Sequence, residues 1–226
     1  SSNGIAFTQF GNDALLWETS SKTDIGVDIS LFNNKLTFTA DYYKNDIDGL
    51  ILQVPVAPSL GVPSNVIRQN IGSMYNRGYE FNASLAAIDK ENFSWNINAN
   101  LTFDKNKVTS LPGGDDILGG TFSDININPN LIIREGESIN SLYGIRYWGV
   151  NPANGNPVYY KADGSLVQGN LPTQTYRVFD PNNPTDISQT ASLNFTTDKV
   201  ILGNTLPTYF GSINNTFRYK EFDLSF

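Results

Sequence analysis

The feature that most constrains the fold is an alternation of apolar and polar residues at every second position. It runs over residues 24–31, 36–43, 78–85 and 93–104, and returns less regularly over 213–226. A period of two is typical of β-strands with one apolar and one polar face, and no long stretch shows helical spacing. The sequence therefore predicts an all-β fold of antiparallel strands.

The two faces of these predicted strands differ in charge. The apolar face of the first four strands carries no charged residue, and the polar face carries Asn, Ser, Thr, Gly and Asp with almost no Lys. A solvent-facing sheet normally guards its edges with charged side chains such as Lys. Charged residues make up only 16% of the 226-residue chain, against roughly 25% in ordinary soluble domains. This pattern favours one face toward lipid and one toward a wet lumen.

The connections between the predicted strands alternate in length. Tight turns are predicted at 33–34, 89–92 and 220–221, and long connections at 52–70 and about 106–205. Antiparallel strands then place every tight turn at one end and every long loop at the other, as in outer-membrane barrels. A soluble β-sandwich, which turns its apolar faces inward, is the alternative that the pattern leaves open.

Composition excludes several function classes. The chain has no Cys and no His, so it has no thiolate nucleophile, disulfide or histidine-based triad. A formal charge of −7 and a pI near 4.5 argue against a nucleic-acid partner. No stretch approaches the roughly 18 apolar residues of a membrane helix. Residues 1–10 lack the basic and apolar regions of a signal peptide, so none is predicted.

Four segments carry further motifs. Residues 15–52 contain Trp-Glu-Thr, then an Asp-Ile-Gly-Val-Asp strand and an Asp-Tyr-Tyr strand; residues 70–85 contain Asn-Ile-Gly-Ser-Met-Tyr-Asn-Arg-Gly-Tyr-Glu. Residues 134–164 contain Glu-Gly, Tyr-Gly and Gly-Val before an Asp-Gly turn, and residues 202–226 contain Tyr-Lys-Glu-Phe-Asp-Leu-Ser. In this order and over nearly the whole chain, they resemble the SusC/RagA family of TonB-linked outer-membrane transporters.

The resemblance implies an antiparallel transmembrane β-barrel segment, part of a 22-stranded TonB-dependent receptor barrel with long extracellular loops. Residues 1–226 would be a partial outer-membrane β-barrel, and the plug domain would lie outside this chain. Six or so strands cannot close such a barrel, so the chain is expected to be a piece of a larger polypeptide. The implied strands lie at about 15–51, 71–108 and 205–226, and the extracellular loops at about 52–70 and 106–205.

The resemblance also implies a function in the bacterial outer membrane. This function is energy-coupled import of glycans, oligopeptides or similar large nutrients by Bacteroidota. The implied partners are a SusD-like surface lipoprotein, TonB acting through the plug, the glycan or peptide cargo, and outer-membrane lipid. A soluble carbohydrate-binding module and a β-rich glycosidase remain as alternatives.

Aromatic residues in the long loop are the candidate ligand-binding residues. Sugar rings present apolar C–H faces that stack on aromatic rings, and Tyr adds a hydroxyl. The alternative is that these residues form a small core within the loop. The candidates are Tyr143, Tyr147, Trp148, Tyr159, Tyr160 and Tyr176.

Acidic residues on the polar face are predicted to face the lumen. A charge on the lipid face costs roughly 2–4 kcal/mol at the bilayer midplane, so this placement needs no functional reason. Arg77 is predicted to pair with one of these acids. The predicted lumen-facing residues are Asp24, Asp28, Asp41, Glu80 and Asp104.

Paired carboxylates are the only candidates for enzyme chemistry. Each pair lies beside Gly or in turn-rich sequence, which favours solvated loop acids, so no catalytic residue is predicted. The stretch from Asp46 to Gly49 contains part of a calcium loop without its closing Glu, so no metal or other cofactor is predicted, with loop calcium left open. The pairs are Asp46/Asp48, Asp115/Asp116 and Glu135/Glu137.

Overall fold

The computed structural model describes residues 11–118, 131–170 and 175–226. Residues 1–10, predicted to contain no signal peptide, lie outside the described residues, as do 119–130 and 171–174 of the predicted long loop. The described residues form β-strands and three short 3₁₀ turns, and they include no helix long and apolar enough to cross a membrane. The 3₁₀ turns are Pro58–Leu60, Pro63–Asn65 and Pro112–Gly114.

The strands confirm the all-β prediction. In chain order they are β1 (Thr19–Leu31), β2 (Leu36–Asp48), β3 (Ile51–Pro55), β4 (Val66–Asn70), β5 (Ser73–Lys90), β6 (Phe93–Ser110), β7 (Ile117–Leu118), β8 (Leu131–Ile133), β9 (Ser141–Ile145), β10 (Tyr147–Val150), β11 (Pro157–Tyr160), β12 (Leu166–Asn170), β13 (Thr175–Val178), β14 (Thr190–Ala191), β15 (Lys199–Gly203), β16 (Tyr209–Tyr219) and β17 (Phe222–Ser225).

The described residues form two compact units. The first contains the residues up to Ile117 together with Arg134–Ile139 and Leu206–Phe226, and the second contains Leu118–Ile133 and Asn140–Thr205 where they are described. The first unit holds a six-stranded sheet in the order β1–β2–β5–β6–β16–β17 and the β3–β4 hairpin. A five-stranded sheet, β10–β11–β12–β13–β14, lies in the second unit, and a four-stranded sheet has the order β15–β9–β8–β7.

The register of the six-stranded sheet collects the apolar residues on one face. Directly opposed residues of neighbouring strands project to the same side. One such row runs through Ile25, Tyr42, Tyr79, Phe103 and Tyr209. Every pairing in the sheet is antiparallel, so the period-two pattern of each strand continues into the next. We call this side the apolar face and the opposite side the polar face.

The apolar face is bare. Ile25 is 66% exposed, Ile213 is 69% exposed and Leu224 is 59% exposed. Within the described residues no side chain of this face is buried. Its aromatic rings instead contact one another, as Phe81 does with Phe38 at 6.2 Å between ring centres. A β-sandwich would cover this face with a second sheet, so the structure favours the barrel wall over the sandwich.

Asn215 is the polar exception on the apolar face. It lies directly opposite Ile97, where an amide without a hydrogen bond would be costly once the face is in lipid. The indole Nε1 of Trp95 donates a hydrogen bond to Asn215 Oδ1 over 3.2 Å. Because Trp95 also stacks on Phe217 at 5.3 Å, the apolar face stays continuous around the amide.

The tight turns lie at one end of the sheet. Leu31 pairs with Leu36 across the first turn. The turn residues Asn33 and Asn34 both have positive φ, as a type I′ hairpin turn requires. The other tight turns connect β5 to β6 and β16 to β17. The β2–β5 and β6–β16 connections therefore both leave from the opposite end.

The long connections contain short strands. The segment predicted as a loop at 52–70 holds most of the β3–β4 hairpin, and the long loop begins after Ser110 because β6 is longer than predicted. The described strands of the long loop, β7 to β15, have only two to five residues each. A transmembrane strand needs about 9–11 residues, so these strands are too short to belong to the wall.

Gly78 lies where Tyr43 crosses from β2 toward β6. The Tyr43 hydroxyl donates a hydrogen bond to Asp104 Oδ1 over 3.0 Å, and Gly78 is directly opposite both residues. A Cβ at residue 78 would lie 2.5 Å from the Tyr43 hydroxyl oxygen and would also meet the backbone carbonyl of Phe103. The crossing therefore requires glycine at this position.

We expect Gly78→Ala to destabilise the sheet by about 1–3 kcal/mol, because the added methyl group must displace both Tyr43 and the backbone of β6. The measurement is the temperature at which the whole receptor loses its heat-modifiable mobility on a denaturing gel. Gly203→Ala in β15 is the matched control, since nothing lies near a Cβ there. Equal losses in the two variants would contradict the argument.

Candidate functional site

The five predicted acids share the polar face of the six-stranded sheet. Asp24, Tyr43, Gly78 and Asp104 form one row of directly opposed residues. In the next row Asp41 and Glu80 lie opposite each other, and Asp28 follows further along β1. The structure thus brings these acids together, and their orientation toward a lumen stays a prediction.

Polar partners hold two of these acids. The Thr39 hydroxyl donates to Asp28 Oδ1 over 2.7 Å, and Tyr43 donates to Asp104. A depression of about 410 Å³ lies beside this group and includes Lys22, a cation that the sequence did not single out. The side chains around it are a mixed polar set that suits water and hydrogen-bonding solutes. They include Lys22, Asp24, Tyr43, Asn45, Asn76 and Asp104.

The prediction that Arg77 pairs with an acid of the polar face is wrong. Arg77 is two residues from Tyr79 on β5, so strand parity places it on the same side as the apolar face. Its guanidinium stacks over Tyr75 at 5.1 Å from the ring centre. The side chain is exposed and makes no ion pair among the described residues.

Three of the six candidate aromatic residues form one aromatic surface on the five-stranded sheet. Tyr147 lies opposite Tyr159, with 5.8 Å between ring centres in an edge-on arrangement. The ring of Tyr176 covers Gly169 on the neighbouring strand. Burial raises the pKa of Tyr159, and Tyr176 and Tyr147 raise it further. The Tyr159 hydroxyl therefore stays a neutral hydrogen-bonding group at physiological pH.

The other three aromatic residues are placed differently. Trp148 packs on the buried Phe179 at 5.2 Å between ring centres and is 39% exposed, so it lies at the edge of the loop core. The Arg146 guanidinium lies 5.1 Å from the ring centre of Tyr160. Tyr143 belongs to β9 of the four-stranded sheet and contacts Lys199 at 5.9 Å. The aromatic residues thus include both an open surface and part of a loop core.

A buried amide network supports the aromatic surface. Asn151 is 0% exposed and Gln168 is 1% exposed. The Asn151 side-chain amide donates to Gln168 Oε1 and to the Pro184 carbonyl, each over 2.8 Å. Asn154 also donates to Gln168 Oε1 over 2.8 Å. The sequence showed only a turn-rich Pro-Ala-Asn-Gly-Asn-Pro segment here, so this network was missed.

The paired carboxylates have structural contacts. Arg134 donates to Asp116 from both Nε and Nη2, over 2.9 and 2.6 Å. Glu135 accepts the backbone N–H of Leu111 over 2.6 Å, and Asp46 pairs with Lys44 at 2.7 Å. In the part of the chain that the structure describes, no group of three acidic side chains is placed to hold a metal ion.

Known proteins match nearly all of this chain. A family model described as "TonB dependent receptor-like, beta-barrel" matches residues 2–215. TonB-dependent receptor P3 of Formosa agariphila is 34% identical over 232 residues, which cover 99% of this chain and 21% of that protein. TonB-dependent receptor SusC of Bacteroides thetaiotaomicron is 28% identical over 196 residues, covering 75% of this chain and 19% of that protein. The chain thus spans about a fifth of the curated relatives it matches.

Solved structures share the fold. The RagAB peptide transporter superposes with a TM-score of 0.73 at 21% identity, over 98% of this chain and 22% of that one. The RagAB peptide importer in its "open-open" state gives a TM-score of 0.70 at 20% identity, over 98% of this chain and 21% of that one. At this identity the likeness shows the fold, and it confirms the predicted barrel segment.

We expect Asn151→Ala to destabilise the five-stranded sheet, because Gln168 would lose a buried partner at a cost of about 1–3 kcal/mol. Hydrogen exchange of the β11 and β12 amides in the whole receptor measures this as roughly 5- to 150-fold faster opening. Asn182→Ala, in an exposed turn of the same unit, is the matched control. Unchanged exchange in the Asn151 variant would show that the network is dispensable.

Proposed function

The chain belongs to the TonB-dependent receptor family of outer-membrane β-barrels, and on this basis we propose that it forms wall and extracellular loops of a SusC-like importer. The cargo class is glycans, oligopeptides or similar large nutrients taken up by Bacteroidota. The observation that carries the proposal is the apolar face of the six-stranded sheet, which is bare and, between its two aromatic rows, carries no charged residue. Such a face is stable when lipid covers it.

The dimensions of the apolar face match a bilayer. Phe93 and Phe103, which lie in aromatic rows near its two ends, are ten residues apart, or roughly 34 Å along a strand. At a tilt of about 40° this corresponds to about 26 Å across the membrane, close to the ~25 Å apolar band of outer-membrane barrels. The aromatic rows, one with Phe93 and Tyr219 and one with Tyr79 and Tyr209, suit the two membrane interfaces.

The direction of the strands sets the proposed orientation. Tight turns face the periplasm, and the β2–β5 and β6–β16 connections face the outside, as in other barrels of this kind. The second unit is inserted between β6 and β16, so it would be extracellular and available to a SusD-like lipoprotein. TonB would act through a plug region outside this sequence. Net charge and the mixed polar face support no nucleic-acid partner.

The remaining functional assignments follow from this role. Membership of a receptor and transporter family supports a chain without catalytic residues, and we assign no cofactor to it. The five acids of the polar face would line the wet interior of the barrel. The aromatic surface of Tyr147, Tyr159 and Tyr176 is the proposed contact for cargo, because its rings are adjacent and partly open to solvent.

We expect Ala99→Lys to reduce barrel assembly strongly, because a cation near the middle of the lipid face costs about 2–4 kcal/mol. Asn98→Lys is the matched control, since its neighbouring position lies on the polar face. The readout is the amount of folded, heat-modifiable receptor in outer-membrane fractions. Similar assembly of the two variants would remove the lipid-facing assignment and favour a soluble module.

We expect Tyr147→Ala combined with Tyr176→Ala to lower uptake about tenfold, since each stacked ring contributes roughly 0.5–1.5 kcal/mol. Growth of the variant strain on single glycans and on peptide mixtures, compared with a deletion strain, both identifies the cargo and measures the loss. Tyr143→Ala, on the four-stranded sheet, is the control. Normal growth of the double variant on the identified cargo would assign these rings to the loop core.

A further inference from the structure

A row of cations lies on the outer side of the sheet, one step beyond the aromatic row of Tyr42, Tyr79 and Phe103. Lys44 is directly opposite Arg77, and Arg77 is directly opposite Lys105. All three share the side of the apolar face, because each is two residues from an aromatic residue of that face. We call Lys44, Arg77 and Lys105 the cation row.

Within the described part of the protein, one cation of the row is paired and the other two are not. Lys44 pairs with Asp46 at 2.7 Å, and among the described residues neither Arg77 nor Lys105 makes an ion pair. Like charges directly opposite each other destabilise a sheet. Lys107 adds a further cation on the same side of β6. A chain with a net charge of −7 thus concentrates positive charge at one point of its wall.

A depression joins the cations to the aromatic row. It has a volume of about 340 Å³. It is lined by Arg77 and Lys105, by Tyr42, Tyr79 and Phe103, and by Gly78 and Asp104, which strand parity assigns to the polar face. An anionic group between the two cations would have aromatic rings directly beneath it. This arrangement suits the headgroup of an amphiphile, with its charge above the interface and its apolar part below.

A separate apolar groove lies on the same face, nearer to the tight turns. It has a volume of about 830 Å³ and lies over the small residues Ala83, Ala99 and Gly211, with Phe81 and Ile213 beside it. Lys105 and Ala99 are six residues apart, or roughly 20 Å along the strand. That length is comparable to an extended acyl chain, so the groove and the cation row suit parts of one lipid molecule.

We propose that the cation row binds the sugar-linked phosphate of an outer-leaflet phosphoglycolipid, whose acyl chains lie in the groove over Ala99. The lipid neutralises Arg77 and Lys105 and removes the repulsion between them. This inference rests on the proposed function, since the orientation of the loops places the cation row at the outer leaflet. The opposite end of the sheet, with Lys90, has no comparable row of opposed cations among the described residues.

The test uses the whole receptor in detergent and measures its binding to purified phosphorylated lipid A and to the same lipid after dephosphorylation. We expect Arg77→Gln combined with Lys105→Gln to weaken binding of the phosphorylated lipid about thirtyfold, because each cation near an anionic lipid contributes about 1 kcal/mol of binding free energy. Binding of the dephosphorylated lipid should stay unchanged. Lys90→Gln combined with Lys220→Gln is the control, with binding within about twofold of the unsubstituted receptor.

Three outcomes would overturn the proposal. These are unchanged binding by the Arg77/Lys105 variant, equal binding of both lipid forms by the unsubstituted receptor, and full competition by inorganic phosphate alone. Heat-modifiable mobility shows that each variant is folded, and Arg77→Lys should keep most of the binding. If the Lys90/Lys220 pair proves to be the lipid-binding one, the orientation is wrong. If a variant loses lipid binding but nutrient uptake stays normal, the proposed import function still stands.

Discussion

The antiparallel register of the six-stranded sheet is the constraint on which the rest of the structure depends. A shift of one residue in any strand would exchange its lipid-facing and polar side chains. The hairpin turn at Asn33 and Asn34 sets the pairing of β1 with β2. The side chain of Tyr43 in β2 crosses Gly78 in β5 to reach Asp104 in β6, so these three strands can pair in one register only. The hydrogen bond from Trp95 to Asn215 does the same for β6 and β16.

This register lets one sheet meet two solvents. On the apolar face the side chains contact one another and leave their outer surface for lipid, so the wall needs no second layer of protein. On the polar face hydroxyls, amides and carboxylates bond across strands, as Thr39 does with Asp28. The backbone hydrogen bonds of the four inner strands are satisfied within the sheet, which leaves the side chains of each face free to match their own solvent. Low overall charge and low overall hydrophobicity are the average of these two faces.

Much of the fold could be predicted from the sequence, because alternation at every second residue identifies both a strand and its two faces. The alternation around Ile97 and Asn98 predicted the apolar and polar faces before any pairing was known, and it left open whether lipid or a second sheet covers the apolar one. Arg77 was misplaced, since its pairing was assigned by charge rather than by its parity with Tyr79. The Asn151–Gln168 network was hidden because it joins a loop residue to a β12 residue 17 positions later. Contacts of this kind depend on loop packing, which leaves no periodic pattern in the sequence.

The pairing of β6 with β16 also explains how the wall tolerates so large an insertion. The inserted segment, which contains the second unit, leaves the sheet after Ser110 and returns before Tyr209, and Tyr209 lies directly opposite Phe103. The two ends of the insertion are therefore fixed close together by the wall itself, a site of the kind at which added domains are accepted. Buried Val158, Val167 and Gln168 give the inserted sheet a core of its own. Changes to the aromatic surface of the insertion can therefore leave intact the register that the membrane requires.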